Sequence, residues 1–480
     1  MLAAGCTRAP DGAIRFGLAG EPTNLDPRFA TDATSARVNR LLYQRLVDFD
    51  RRLNPVPALA RWETPSPREY LFILGEGGRR FHDGSLLTAA DVKATYDFIL
   101  DPANGSPHRG SLSLIERIEV LDQDRLRFVL SRPDPLFPGY LVIGILPARL
   151  IRAGHDFQQA PVGSGPFRFL ERPEPGRLRL ERTADNQVFE FLTVKDPTVR
   201  VLKLKRGEID LLQNDLPAEL IAWLERQRGI RVVKGPGSKF AYLGFNLEDP
   251  AVGRLEVRQA IGHAIDRRAI IDHLLAGAAR PAGALLPPDH WAGLPGETGL
   301  AHDPDRARRL LAQAGYGPDR PLSLEYKTSS DPTRIRIATV IQDQLARVGI
   351  RVKLKTYDWG TFYGDIKAGR FQMYSLAWVG IKTPDIFRYV FHSESLPPAG
   401  ANRGRFRDAG VDRLIEAAER EPDRDRRVAL YRALERRLLE LLPYVPLWYE
   451  DNVYAAREGI QGYRLALDGN YDGLVQVTRR

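Results

Sequence analysis

Thr333 to Val379, TRIRIATVIQDQLARVGIRVKLKTYDWGTFYGDIKAGRFQMYSLAWV, is the stretch on which the fold class turns. From about Arg334 to Val348 the apolar residues recur at helical spacing, and Gly349 closes the run. Ile350, Val352, Leu354 and Thr356 then alternate as a strand, Thr361 to Ala368 makes a short helix, and Phe371 to Val379 reads as a buried strand. Helix, strand, helix, strand at this spacing implies α/β layers around a largely parallel sheet. Such sheets bind ligands outside the carboxyl ends of their strands, so Gly380-Ile381-Lys382-Thr383-Pro384-Asp385 is the candidate binding loop.

The same alternation extends in both directions. Ile14, Phe16 and Leu18 make a strand, followed by the turn Glu21-Pro22-Thr23 and an amphipathic run from Ala33 to Leu46. Between Leu86 and Leu100, Thr88 stands at the N-cap, Asp91 at the capping-box position, and Val92, Thr95, Tyr96 and Ile99 form the buried stripe. Val257, Ala260, Ile261, Ala264 and Ile265 repeat the stripe, and Asp303-Pro304 opens a helix that closes at Gly315. Helices from Asp408 to Arg420 and Arg424 to Leu442 lead to the Pro443 to Glu450 segment and a strand at Val453 to Ala456.

At 480 residues the chain is long enough for about three domains. Its composition, 43% hydrophobic and 27% charged, is that of a globular protein, neither disordered nor coiled coil. The net charge of +9 is not gathered in one place. In the most Arg-rich region, Arg403 to Arg437, acidic residues from Asp408 to Glu435 are interleaved, which reads as a solvated helical face rather than a nucleic-acid surface. Leu141 to Leu146 is the longest clear apolar run, far short of the 18 or so residues of a membrane span.

A lone cysteine, Cys6, excludes an internal disulfide and zinc clusters. Leu2-Ala3-Ala4-Gly5-Cys6 resembles the end of a bacterial lipoprotein signal peptide, with Cys6 as the lipidated residue and Thr7 to Gly12 as a tether. Either the start lies inside such a signal peptide or the likeness is accidental.

Catalytic patterns are missing. Gly163-Ser164-Gly165-Pro166 lacks the spacing of a nucleophile elbow and reads as a tight turn, and neither it nor Gly235-x-Gly237 completes a dinucleotide fingerprint. The eight histidines form no metal pattern, His82 beside Asp83 reads as a turn residue, and Asp468 to Gly473 imitates a calcium loop whose twelfth position, Arg479, is wrong. No catalytic residue, metal or cofactor is expected.

Several segments together resemble the family 5 solute-binding proteins of ABC importers, the peptide-, nickel- and haem-binding group. They are Leu25-Asp26-Pro27, Phe81-His82-Asp83-Gly84 with Thr88-Ala89-Ala90-Asp91-Val92, Gly163-Ser164-Gly165-Pro166-Phe167, Gly207-Glu208-Ile209-Asp210 and Tyr242-Leu243-Gly244-Phe245-Asn246. Val257-Arg258-Gln259-Ala260, Asp303-Pro304 to Tyr316, and Leu430-Tyr431 to Leu447 continue the order, so that the likeness runs from about residue 14 to 475.

The resemblance implies a bilobed periplasmic-binding-protein fold, type II-like with an extra domain, in which mixed sheets in two lobes are joined by crossing hinge strands. Mapped by motif order, residues 1–10 are a signal-peptide remnant or tether. Domain I is 11–43, 160–237 and 456–480, domain II, inserted in the first lobe, is 44–159, and domain III is 238–455. The implied function is capture of oligopeptides, or a related solute, between lobes and delivery to ABC permease subunits. Such a protein is a monomeric, non-enzymatic, extracytoplasmic lipoprotein anchored to the bacterial cell membrane through Cys6. Within the family the alternatives are nickel-chelate, haem or oligosaccharide binding; outside it, a chaperone or sensor lipoprotein.

The peptide binders place an Asp three residues after a Trp to pair with the ligand's α-ammonium. Here Trp378 is present but the third position after it is Ile381, Thr383 replaces a further carboxylate, and Lys382 adds a positive charge. A cation buried against Ile381 goes unpaired at a cost of several kcal/mol. Either Asp385 or Glu21 takes over the anchor, or the ligand carries no α-amine there. The candidate ligand-binding residues are therefore Trp378, as a stacking surface or a core aromatic, with Asp385, Glu21 and Asn246.

Overall fold

The computed structural model describes residues 12–480, so that Cys6 and its tether lie outside the described residues. The chain divides into two compact units, the described residues up to Gly235 with Asn452–Arg480, and Pro236–Asp451. Two long strands, Ile230–Phe245 and Tyr444–Arg457, carry the chain from one unit into the other.

In the first unit, Ile14–Leu18 lies between two parallel neighbours, Val188–Thr193 and Leu211–Gln213. A strand covered on both faces has no solvated side, and Phe16, Gly17 and Leu18 are all buried. Arg177–Arg182 and then Phe167–Glu171 extend the sheet antiparallel, and residues Tyr454 to Ala456 pair antiparallel with Leu211–Gln213. Residues between Leu46 and Ile145 make a separate core in this unit. There an antiparallel sheet, in the order Ala60–Ser66, Glu69–Leu74, Arg125–Leu130, Ile115–Val120, packs with the helix Ala89–Leu100. That helix starts as its sequence requires, Thr88 N–H donating to Asp91 Oδ2 at 2.7 Å.

Gly163-Ser164-Gly165-Pro166 is not a tight turn. It closes no hydrogen-bonded turn of its own: it bends at Gly165-Pro166 and is pressed against the end of the helix Ala33–Leu42, where Gly165 N–H donates to the Leu42 carbonyl at 2.9 Å. A Cβ on Gly163 would stand 2.0 Å from the Leu42 oxygen and one on Gly165 2.3 Å from the Leu41 oxygen, so close approach is what demands glycine. The helix expected to reach Leu46 ends at Leu42 because the chain turns extended at Tyr43 to meet this segment. His82 closes the junction, accepting from Gly163 N–H at Nδ1 (3.4 Å) and donating from Nε2 to the Gly165 carbonyl (3.0 Å).

In the second unit Leu322–Ser329 sits between Ile350–Tyr357 and Met373–Trp378, parallel to both, and Phe240–Phe245 joins antiparallel to Met373–Trp378. The two strands read from the Thr333 to Val379 stretch are thus not neighbours: each crossover returns the chain beside Leu322–Ser329, on opposite sides of it. The sheet is mixed rather than largely parallel. Its helix Pro332–Ala346 begins at Asp331, which accepts from Arg334 N–H at 2.9 Å, with Pro332 in the first turn; Asp303 with Pro304 and Asp196 with Pro197 do the same. Ile337, Ile341 and Leu345 pack onto Leu324, Tyr326, Ile350 and Met373. Pro443 to Glu450 belongs mostly to a strand, Tyr444–Arg457, whose buried residues show no alternation because both its faces are covered. Among the described residues no helix is long and apolar enough to cross a membrane.

Candidate ligand-binding site

The strand Met373–Trp378 delivers the indole of Trp378 to its carboxyl end, and the loop that follows leads into the helix Ile386–Phe391. The loop is pinned from behind. Ile381 is buried, and fully buried His290 accepts from Ala292 N–H at Nδ1 (3.0 Å) and donates from Nε2 to the Lys382 carbonyl (3.0 Å). Asp385 is exposed at the start of the helix Ile386–Phe391 and accepts a hydrogen bond from the Thr383 hydroxyl.

Trp378 is half-buried at the edge of an aromatic stack. Its ring lies nearly parallel to Tyr242 (6.5 Å, 11°), Tyr242 stacks on Tyr444 (4.0 Å, 19°), and Tyr389 meets Trp378 edge-on at 6.2 Å. Burial drives the hydroxyls of Tyr242, Tyr374 and Tyr444 well above the ordinary tyrosine pKa, so they stay protonated. The indole Nε1 of Trp378 is buried without a hydrogen-bond partner.

Arg403 completes the cluster, and the sequence reading missed it. Expected on a solvated helical face, it lies instead in a loop ahead of the helix Ala409–Arg420 and is 7% exposed, whereas Arg413, Arg420, Arg424 and Arg426 are exposed as expected. The loop is tightly held. Asn402 Nδ2 donates to the carbonyls of His392 (3.1 Å) and Phe406 (2.8 Å), while Leu247 N–H donates to the Gly404 carbonyl at 2.9 Å. A Cβ on Gly404 would stand 2.6 Å from the Phe245 oxygen, so this backbone approach too requires glycine. The Arg403 guanidinium lies 4.9 Å from the Trp378 ring and 5.2 Å from the Tyr363 ring, donating to the hydroxyls of Tyr363 (3.0 Å) and Tyr242 (3.4 Å). The available signal was local: Asn402-Arg403-Gly404 stands outside the helical pattern that begins at Asp408, so Arg403 had no helix face on which to be solvated.

The remaining expected residues make hydrogen bonds of their own. Asn246, just beyond the strand Ile230–Phe245, donates from Nδ2 to the Gly369 carbonyl at 3.3 Å and accepts from Glu248 N–H at 3.2 Å. Glu21 belongs to the first unit, where it is exposed and accepts from Gly176 N–H at 3.3 Å, near Arg172. Among the described residues no three His, Cys, Asp or Glu side chains gather as a metal site would need.

Stacking faces and a buried guanidinium suit reversible binding of a planar or carboxyl-bearing solute. Residues 53–395 match the profile of the bacterial extracellular solute-binding proteins, family 5 Middle. The chain belongs to that family. Family 5 is one of transport receptors, and its relatives here match nearly end to end. The dipeptide-binding protein of Pseudomonas aeruginosa is 28% identical, the alignment covering 93% of this chain and 91% of the relative. Among solved family 5 structures, DppA of Helicobacter pylori in complex with the peptide STSA is 26% identical with a TM-score of 0.77, covering 98% of both chains. AgaA of A. tumefaciens R10, in complex with agropinic acid, is 28% identical with a TM-score of 0.75, over 98% of this chain and 99% of that one. The bilobed family 5 fold is therefore the fold of this chain.

Proposed function

We propose that this chain is an extracytoplasmic receptor that captures an oligopeptide, or a chemically related solute, and delivers it to an ABC permease without catalysing a reaction. The observation that carries the reading is the Trp378 platform at the carboxyl end of Met373–Trp378, half-buried and flanked by exposed Tyr389 and Val379. Peptide-binding relatives support the solute class, and the agropinic acid complex of AgaA supports a second reading, a non-peptide solute on the same platform. Trp378 and Asp385 would contact the solute, with Glu21 and Asn246 as further contacts. Three domains, with the 44–159 segment as an insertion, accord with the separate core found between Leu46 and Ile145. Cys6 would carry the lipid that holds a monomeric receptor to the membrane.

Native mass spectrometry of gently purified protein tests the reading. A heterogeneous set of co-purifying peptide masses is expected; one non-peptide mass selects the second reading, and a bare protein that no peptide library stabilises against heat removes both. Fatty-acid-analogue labelling of wild type but not Cys6→Ser is expected, and equal labelling of the two would remove the anchor.

A further inference from the structure

Arg403 stands apart from the other buried arginines of the chain. Arg28 and Arg45 hold Asp26 and Asp48, and Arg182 holds Asp185 together with three main-chain carbonyls. Arg200, Arg258, Arg267 and Arg427 each donate to main-chain carbonyls. Arg403 has neither; its hydrogen bonds go to two tyrosine hydroxyls. Burial keeps the Tyr242 hydroxyl protonated, and among the described residues no carboxylate stands within ion-pair distance of Arg403, so its guanidinium is desolvated without an anionic partner. The Trp378 and Tyr363 rings, 4.9 and 5.2 Å away, favour a cation without neutralising it, and the two tyrosine hydroxyls take only part of the guanidinium's N–H donors, leaving others for a further acceptor.

The surroundings reinforce this. Trp359, Val379 and Tyr389 are the exposed large apolar side chains of the second unit among the described residues, and all three border the cluster. Trp359 stacks on Tyr363 at 5.4 Å and 7°, Tyr389 packs on Trp378, and Val379 follows it in the chain. Lys367 Nζ lies 5.2 Å from the Tyr363 ring, adding a second positive charge. An aromatic rim around an uncompensated guanidinium complements an anion attached to an apolar body.

We infer that the Arg403 cage seats a carboxylate of the solute, the planar anion receiving the guanidinium donors while the apolar part lies on Trp378, Tyr389 and Trp359. The inference rests on the receptor reading, but its test does not require the solute to be a peptide. N-acetylphenylalanine and its neutral amide share the apolar body and differ in the carboxylate. In thermal shift and calorimetric titration of the full chain, the acid is expected to bind at least tenfold more tightly than the amide. Arg403→Gln is expected to abolish the difference, and Arg403→Lys to restore part of it. Equal response to acid and amide, or none to the acid, overturns the seat using wild type alone, so a variant that fails to fold does not blunt the test. The dipeptide Ala-Phe, run alongside, separates the two readings: binding of N-acetylphenylalanine without Ala-Phe keeps the seat and removes the peptide solute.

Discussion

Glu450 accepts a hydrogen bond from Arg334 Nη2 at 3.0 Å, and its other carboxylate oxygen takes Lys239 Nζ at 2.6 Å. Three elements of the second unit meet in this pair of bonds: the crossover helix Pro332–Ala346, the strand Ile230–Phe245 and the strand Tyr444–Arg457. Burial alone would raise the carboxyl, but Lys239 and Arg334 outweigh it and hold it down to about 2.

Glu450→Gln leaves two cations facing a neutral amide and is expected to cost about 2 kcal/mol in urea denaturation at pH 7. Because the folded carboxyl titrates below the unfolded one, its stabilisation is present above about pH 4.5 and is lost as pH falls toward 2. The gap between wild type and variant therefore closes in acid; a gap that stays constant from pH 7 to pH 3 would contradict this account.

Glu435 titrates in the opposite sense. It is 1% exposed, Oε1 accepts from Leu286 N–H at 3.1 Å, Oε2 has no hydrogen-bond partner, and burial pushes its carboxyl up to about 8. The neutral acid is the form the fold prefers, so its stabilisation is full below about pH 4.5 and is lost as pH rises through 8. Glu435→Gln removes the titration, and between pH 5 and pH 9 the variant should gain about 4 kcal/mol on wild type. Parallel stability curves for the two proteins would refute the assignment.

Gly165→Ala places a methyl within 2.3 Å of the Leu41 carbonyl, and backbone on both sides has no flexible end to yield. A loss of about 3 kcal/mol is expected, read as a drop in the urea midpoint with unchanged slope. Gly84→Ala, at a positive φ but with nothing within 4 Å, meets no such wall and should lose less.

His82 is held neutral, burial lowering its pKa more than its hydrogen bond to the Gly165 carbonyl raises it. Nitrogen chemical shifts should report the Nε2–H form, taking up its second proton only below the ordinary histidine range. Stability should be full above about pH 6.5 and fall as the solution is acidified below it. His82→Ala, which removes two hydrogen bonds, should cost about 2 kcal/mol and abolish that dependence.

Local patterns made much of this protein legible. Thr88 and Asp91 built the capping box they spelled, Asp303-Pro304 opened its helix, and Gly349 closed the one that begins at Pro332, because caps and turns are decided within a few residues. Trp378 and its loop were singled out by position after a strand. Asn246 and Glu21 were singled out by motif alone; Asn246 donates to the distant Gly369 carbonyl and Glu21 accepts from the distant Gly176 N–H, contacts no local pattern shows.

What the sequence determined by itself was the α/β class, the element order and the family likeness, since periodicity, capping and motif order need no knowledge of distant contacts. Only the tertiary structure decided that Leu322–Ser329 separates Ile350–Tyr357 from Met373–Trp378, that Gly163 and Gly165 serve close approach rather than a turn, and that Arg403 is buried among Trp378, Tyr363 and Tyr242. Each is a long-range contact: a carbonyl or ring brought from tens or hundreds of residues away sets the local environment. A charge count along the chain cannot show which arginine loses its water.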